Sequence, residues 1–508
     1  MSQWFETATP ESQGISSNAI LSFIEEIERE QIGIDSLIIM RRNKIVAEGY
    51  WAPFEQGDPH RLFSAGKAIA ATAILIAIDE GRLHLEDTVA NLLKDSLPAQ
   101  YSDKYDRMTL YHLLTMNTGH TTDTFGPMLQ AGGDRALTFF SIPPEKEPGT
   151  HFLYNNGVPD ILGIILYKAT GQRLFEYLED RLFRPLEMDS MYVERYQHLD
   201  ELPTMSASTR SLFKLAYLYA NHGMWGKTQI ISRNLADMAG AYLSPSLQNP
   251  EPTLVAYDTK FGYGFQIWRN SVGGFRIDGG RGQFGIVIPD MDLVAAINAT
   301  EQDQGVLPIL FWKHITNQLY ATARQEDTEA YSKLKKKLSN LSWAERGNQS
   351  PAQDLCRSYH LERPHFGISK LSLSMQGEHL ILHTDFNGSC EADLGICNDG
   401  EWHKISLPIL PEDQTYYGSN VRRGSVTGGN ISEAYACTVC HASDMIEIHL
   451  RSKGFMGCKI LRIGRQSLTY LPYDDFAREN RSSTVKHENL DRMAISGIIE
   501  VQLIPAGK

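Results

Sequence analysis

The sequence predicts an α+β domain carrying a large helical insertion, followed by a β-rich C-terminal domain. Three observations carry this expectation. Helix and strand patterns open the chain, a mainly helical stretch from about residue 82 to 250 interrupts them, and strands with a closing helix return afterwards. Past a charged seam the texture changes to short alternating runs between turn signals. A chain of 508 residues is too long for one ordinary core, so two or three domains are expected.

The first helix is read from Ile20, Phe23, Ile24 and Ile27, which follow the i, i+3, i+4, i+7 rule, with Ser16 or Ser17 as N-cap. Two short strands follow at residues 37–40 and 45–50, joined by the polar turn Arg41-Arg42-Asn43-Lys44. Residues 68–78 are apolar all round, which predicts a helix buried in the middle of a domain, with Gly81 as its stop. Within the insertion, helices are expected at 110–116 and 161–169. Strands return at 261–268 and 284–288, and Pro289-Asp290 turns the chain into a strand at 293–297. Residues 307–320 read as a closing helix. The stretch 324–350 is charged and contains Lys335-Lys336-Lys337, which reads as a solvated helix or linker. Beyond it, Leu371, Leu373 and Met375 alternate with polar residues, as do Ile446, Ile448 and Leu450. The expected division is therefore a first domain over 8–323, a charged linker or helix over 324–352, and a β-rich domain over 353–508. No internal repeat is apparent at any fixed period.

Composition narrows the function. The chain is 42% hydrophobic and 21% charged, and its formal net charge is −13. That balance argues against nucleic acid, whose binders present Lys and Arg in patches, and gives no reason for attraction to an anionic membrane. The start, Met1-Ser2-Gln3-Trp4-Phe5-Glu6, has no positive n-region and no apolar h-region, so a cytoplasmic protein is expected. The longest apolar stretch falls far short of the ~20 residues that span a bilayer. All six cysteines, Cys356, Cys390, Cys397, Cys437, Cys440 and Cys458, lie in the last third and read as reduced thiols. Cys437-Thr438-Val439-Cys440-His441 matches a haem-attachment pattern, but it lies in β texture without an export signal, and no second ligand pair has zinc-site spacing. Ordinary strand cysteines are the better account, and neither a metal nor a cofactor is expected.

The chemistry centres on Ser64-Ala65-Gly66-Lys67 at the start of the buried helix. Ser and Lys three apart on a helix share a face, so the amine can reach the hydroxyl. A serine at a helix N-terminus also has backbone N–H groups and the positive dipole end beside it, useful against a developing oxyanion. Burial would lower the lysine pKa toward the neutral form that a base requires. Alone, a serine and lysine at this spacing recur by chance many times in such a chain.

Context changes the weight of the signal. The run Arg61-Leu62-Phe63-Ser64-Ala65-Gly66-Lys67, then an apolar helix, then Asp79-Glu80-Gly81-Arg82-Leu83-His84-Leu85-Glu86-Asp87, resembles the serine β-lactamase-like superfamily. That group includes class C β-lactamases, penicillin-binding carboxypeptidases, D-aminopeptidases and related esterases. His112-Leu113-Leu114-Thr115-Met116-Asn117-Thr118-Gly119 resembles a recurrent structural stretch of the family, and Tyr154-Asn155-Asn156 looks like its Y-x-N motif. The resemblance covers roughly residues 8–323. It implies an antiparallel sheet flanked by helices, with the helical insertion forming one wall of a cleft.

The residues themselves fit that implication. A phenol near Ser and Lys can relay a proton to a leaving group, and a carboxamide can donate to a substrate carbonyl or accept from the lysine. An isolated tyrosine is more often a packed aromatic with a satisfied hydroxyl; here order and spacing favour the functional reading. The family's third motif is usually Lys-Thr-Gly or His-x-Gly. Aligning on the following strand and its Pro-Asp turn sets Gly280-Arg281-Gly282-Gln283 there, with Gly280 in place of the cation. On this reading Gly282 admits close approach of the substrate, the Gln283 N–H joins that of Ser64 as oxyanion donor, and Arg281 is the candidate replacement for the missing charge.

The expected function is thus a serine hydrolase of small esters or amides, acting through an acyl-enzyme on Ser64 with Lys67 and Tyr154 handling protons. A D-amino-acid peptidase or β-lactam-hydrolysing enzyme of the same superfamily is the alternative. A non-catalytic binding protein is a third reading, and one that has no need of Ser64, Lys67, Tyr154 and Asn156 together. No G-x-S-x-G elbow occurs, so an α/β-hydrolase triad lacks its signature.

Overall fold

The computed structural model describes residues 5–131, 133–189, 191–194, 204–246, 258–301 and 304–343, together with the backbone of the strands between 358 and 505. Helix α1 (Ser17–Arg29) buries Ile20, Phe23, Ile24 and Ile27, the stripe its spacing predicts. Ser16 is the N-cap residue, as expected, but its side chain makes no cap hydrogen bond. The buried carboxylate of Glu11 accepts from the Ser17 backbone N–H at 2.6 Å and from the Ser17 hydroxyl at 2.9 Å, satisfying an orphan helix donor with a negative charge.

Strands β1 (Ile34–Arg41) and β2 (Lys44–Tyr50) form a hairpin. Arg42 and Asn43 take positive φ, 48° and 58°, as a tight two-residue turn between twisted strands requires. The chain then enters a 3₁₀ turn (Phe63–Ala65) that runs directly into α2 (Gly66–Asp79). Nearly every α2 side chain is buried, and Gly81 follows with φ 69°. The insertion supplies α3 (Leu110–Leu114), α4 (Val158–Thr170) and α5 (Thr209–Ala220). After it come β3 (Trp268–Arg269), β4 (Phe275–Gly279), β5 (Gln283–Ile288) and β6 (Leu293–Ala299), then α6 (Val306–His314) and α7 (Thr328–Leu338).

The six strands make one antiparallel sheet in the order β2-β1-β6-β5-β4-β3. Both faces are covered, and strand alternation divides the core accordingly. Ile38, Met40, Val294 and Ala296 pack with α2 and the insertion helices. Leu37, Ile39, Ala295 and Ile297 pack with α1, α6 and α7. That double burial is why β1 and β6 read as continuous apolar runs rather than alternating ones.

Three expectations change. The strand expected at 261–268 is confined to Trp268–Arg269, and Phe275–Gly279 is a further strand that the reading passed over. The closing helix ends at His314. The charged seam is in part structural: α7 buries Leu334 beneath its charged face, Leu341 is buried after it, and Trp343 stacks on Trp51 at 6.3 Å. The Trp343 indole N–H also donates to the Ile34 carbonyl at 2.6 Å.

In the last third, ten strands from Ser358–His365 to Ile499–Pro505 pair antiparallel as one sheet. Each pairs with a sequence neighbour, and the last pairs with the first through Tyr359↔Pro505 and Leu361↔Leu503. The cysteine side chains, those of the Cys437 to His441 pattern included, lie outside the described residues. Among the described residues no helix is long and apolar enough to cross a membrane.

Candidate active site

Ser64 sits in the 3₁₀ turn that leads into α2. Phe63, just before it, has φ 48°, an uncommon conformation for a large side chain. The strand that meets this turn is β4. A Cβ on Gly279 would lie 2.1 Å from the Leu62 carbonyl oxygen and 2.9 Å from the Ala65 nitrogen, so only glycine lets the strand end press against the turn that carries Ser64.

One turn along, Lys67 is buried with its Nζ 2.8 Å from Ser64 Oγ. The amine also donates to Asn156 Oδ1 at 3.0 Å and lies 4.9 Å from the centre of the Tyr154 ring. Burial disfavours the ammonium and pushes the pKa down to about 8, while the charges of Asp123, Asp160 and Asp278 pull the other way. Burial raises the Tyr154 phenol pKa and the neighbouring Ser64 opposes that rise, so the phenol stays protonated across the neutral range. Its ring stacks on Trp268 at 5.2 Å and meets Tyr263 edge-on at 6.2 Å, which fixes the hydroxyl in place.

The segment 154–157 is tied to the loop at 123–125. Asn155 Oδ1 accepts from Thr124 N, Thr124 Oγ1 and Gly157 N at 3.1, 2.9 and 3.0 Å. Asn156 donates its backbone N–H to Asp123 Oδ1 at 3.0 Å and its Nδ2 to Asp123 Oδ2 at 2.7 Å. This leaves Asn156 Oδ1 facing Lys67. Of the two adjacent asparagines, Asn155 therefore holds the backbone and Asn156 reaches the cluster.

Four residues singled out from the sequence, Ser64, Lys67, Tyr154 and Asn156, come together in this way. The third motif is arranged differently from its reading. Gln283 pairs with Gly279 in the β4–β5 register, so residues 280–282 are a hairpin turn, with Arg281 at φ 67° and Gly282 at φ 93°. Gln283 lies inside the sheet: its Nε2 donates to the Ala299 carbonyl at 2.5 Å, and its Oε1 accepts from Asn298 Nδ2 at 2.6 Å. The Arg281 carbonyl accepts from Glu301 N at 3.0 Å. Gly280, aligned above with the family's cation, lies in the turn against the Phe63 ring.

The β4 residue whose charge acts on Lys67 and Tyr154 is instead Asp278, two positions earlier. Its buried carboxylate accepts from Arg276 Nε at 2.8 Å and Gln304 Nε2 at 3.2 Å, and Arg276 also pairs with Asp258 at 2.6 Å. Burial raises the Asp278 pKa and Arg276 opposes that rise. Neither Asp278 nor Asp123 was singled out from the sequence. Arg276 and Asp278, two apart on a strand, carried a usable signal because they share a face; Asp123 carried none.

A family model described as Beta-lactamase matches residues 23–307. The 6-aminohexanoate-dimer hydrolase of Paenarthrobacter ureafaciens is 27% identical over 203 residues, 36% of this chain and 51% of that one. Monacolin J acid methylbutanoyltransferase of Aspergillus terreus is 27% identical over 179 residues, 31% of this chain and 43% of that one. The chain thus spans about half the length of the curated relatives it matches. Among solved structures, a penicillin-binding protein homologue from Caulobacter crescentus aligns over 61% of this chain and 100% of its own, at 17% identity and a TM-score of 0.48.

Proposed function

This chain belongs to the beta-lactamase family, and from that premise we propose that it is a serine hydrolase forming an acyl-enzyme on Ser64, with small esters or amides as substrates. The observation that carries the reading is the Lys67 amine, buried, 2.8 Å from Ser64 Oγ, with its pKa brought down to about 8. An ordinary lysine is almost wholly protonated at neutral pH and cannot accept a proton. This one has a usable neutral fraction.

The steps follow from the donors and acceptors present. Neutral Lys67 takes the Ser64 proton as Oγ bonds to the substrate carbonyl carbon, and the carbonyl oxygen becomes an oxyanion. The Ser64 N–H is one stabilising donor. The second is assigned to the backbone of the turn at 280–282, because Gln283 belongs to β5, a strand paired on both edges. As the bond to the leaving group breaks, that group takes a proton relayed through Tyr154 from Lys67. Water, losing a proton back to the same pair, then attacks the acyl carbon, releases the acid and restores Ser64. Among relatives, a hydrolase and an acyltransferase differ in whether water or another nucleophile receives the acyl group.

Charge favours neutral substrates. Asp278, a carboxylate, stands near Lys67 and Tyr154 on the strand where the resemblance puts a cation, so a substrate carboxylate gains no charge-assisted contact from it. Losing a charge-assisted contact costs about 1.5–3 kcal/mol, a roughly 10- to 150-fold penalty. Short p-nitrophenyl esters are therefore expected to be hydrolysed and cephalosporins poorly, with D-amino-acid amides as the third arm and Ser64→Ala as control. Efficient cephalosporin turnover by the wild type would overturn the substrate assignment, and abolition of that turnover in Arg281→Ala would identify Arg281 as the replacing cation.

A further inference from the structure

We infer that Asp123 is a positioning residue for acyl transfer at this site: it fixes which way the Asn156 carboxamide faces and so aims the Lys67 lone pair at Ser64. The inference rests on the reading of Ser64 as the acylated residue.

A carboxylate only accepts hydrogen bonds. Asp123 Oδ1 is held by the backbone N–H groups of Asn156 and Phe125, both at 3.0 Å, so the group cannot turn freely. Its Oδ2 then accepts from Asn156 Nδ2 at 2.7 Å. With the amide nitrogen held there, the amide oxygen must face Lys67, and it does so at 3.0 Å. That oxygen can only take an N–H from the amine. A neutral amine giving an N–H to Asn156 keeps its lone pair for Ser64 Oγ, 2.8 Å away. Were the carboxamide reversed, its NH₂ would donate to the lone pair, and Ser64 would lose its base.

The groups bearing on Lys67 come from several elements. Asp123 lies on the loop, Asp160 on α4 and Asp278 on β4, beside the Tyr154 phenol and the Ser64 hydroxyl. Asp160 is paired with Arg135 and Asp278 with Arg276, whereas the bonds described for Asp123 are to amide N–H groups. Removing its charge leaves the ammonium less favoured.

Asp123→Asn tests this, because an asparagine there must set one donor against another whichever way it faces. Ester acylation in this variant is expected to slow roughly tenfold or more, as for loss of a hydrogen bond to a charged group. The midpoint of the pH–rate rise is expected to move to lower pH, a change that mere loosening of the loop would not produce. In an Asn156→Ala background, adding Asp123→Ala is expected to cost little further, since the path through Asn156 is already gone. Wild-type acylation with an unmoved midpoint in Asp123→Asn, or the same fold-loss with and without Asn156, would overturn the inference. A ¹³C-lysine NMR titration reads Lys67 without turnover: a lower midpoint in Asp123→Asn supports the coupling and an unchanged one refutes it. Absence of acylation in the wild type would remove the Ser64 reading while that titration still decides the Asp123 inference.

Discussion

Burial and charge compete at Lys67, and burial prevails, which gives the pH dependence its sign. The amine must be neutral to act, so acylation is expected to rise as pH rises through about 8 and then level off. Tyr154 does not contribute to that limb, since its pKa is raised out of the range. Lys67→Arg keeps the cation but cannot serve as a base near neutral pH, so a loss of about 10²-fold or more is expected in stopped-flow acylation. Little change would transfer the base role to Tyr154. The i, i+3 spacing of Ser64 and Lys67 is a local geometric signal, but it gained weight only from the run around it that carries the family resemblance. Tyr154 and Asn156 needed the family resemblance, since they reach the cluster through a fold that no spacing encodes. Asp123 was out of reach: an aspartate in a polar loop looks like any solvated one until Asn156 is set beside it.

At the scale of elements, amphipathic spacing found α1, and the polar turn found the β1–β2 hairpin. The same logic passed over β4, where Phe275 and Ile277 alternate with Arg276 and Asp278, because the buried polar face resembles a loop between glycine pairs. Charge also marked residues 324–350 as a solvated helix or linker, and a helix is present at Thr328–Leu338, but its buried side was not foreseen. The charged residues of α7 are its solvent face; Leu334 beneath them is fully buried in the same core as Phe23 and Phe311. Leu334→Ala is therefore expected to destabilise the protein by about 2–5 kcal/mol in urea unfolding, the range for a buried leucine truncation. A linker leucine would cost almost nothing, so an unchanged midpoint would contradict the placement of α7 in the core.

For the whole molecule, the sequence conveyed the α+β class and the helical insertion, because helical and strand periods alternate in long blocks. The pairing order of the six-stranded sheet was not legible, since β1 meets β6 across more than two hundred residues of intervening chain. The sheet's two covered faces hold α2 rigidly on one side, and β4 presses on the turn before it, so Ser64 is presented by the entire first core rather than by a loop. On the proposed mechanism, a serine held this way beside Lys67 should stand out from every other serine in the chain. Treating the intact protein with a serine-directed phosphonate and mapping the adduct tests that claim most directly. A single adduct per chain is expected, located on Ser64 and lost in Ser64→Ala; equal labelling of Ser64→Ala, or an adduct mapping elsewhere, would contradict the assignment of Ser64.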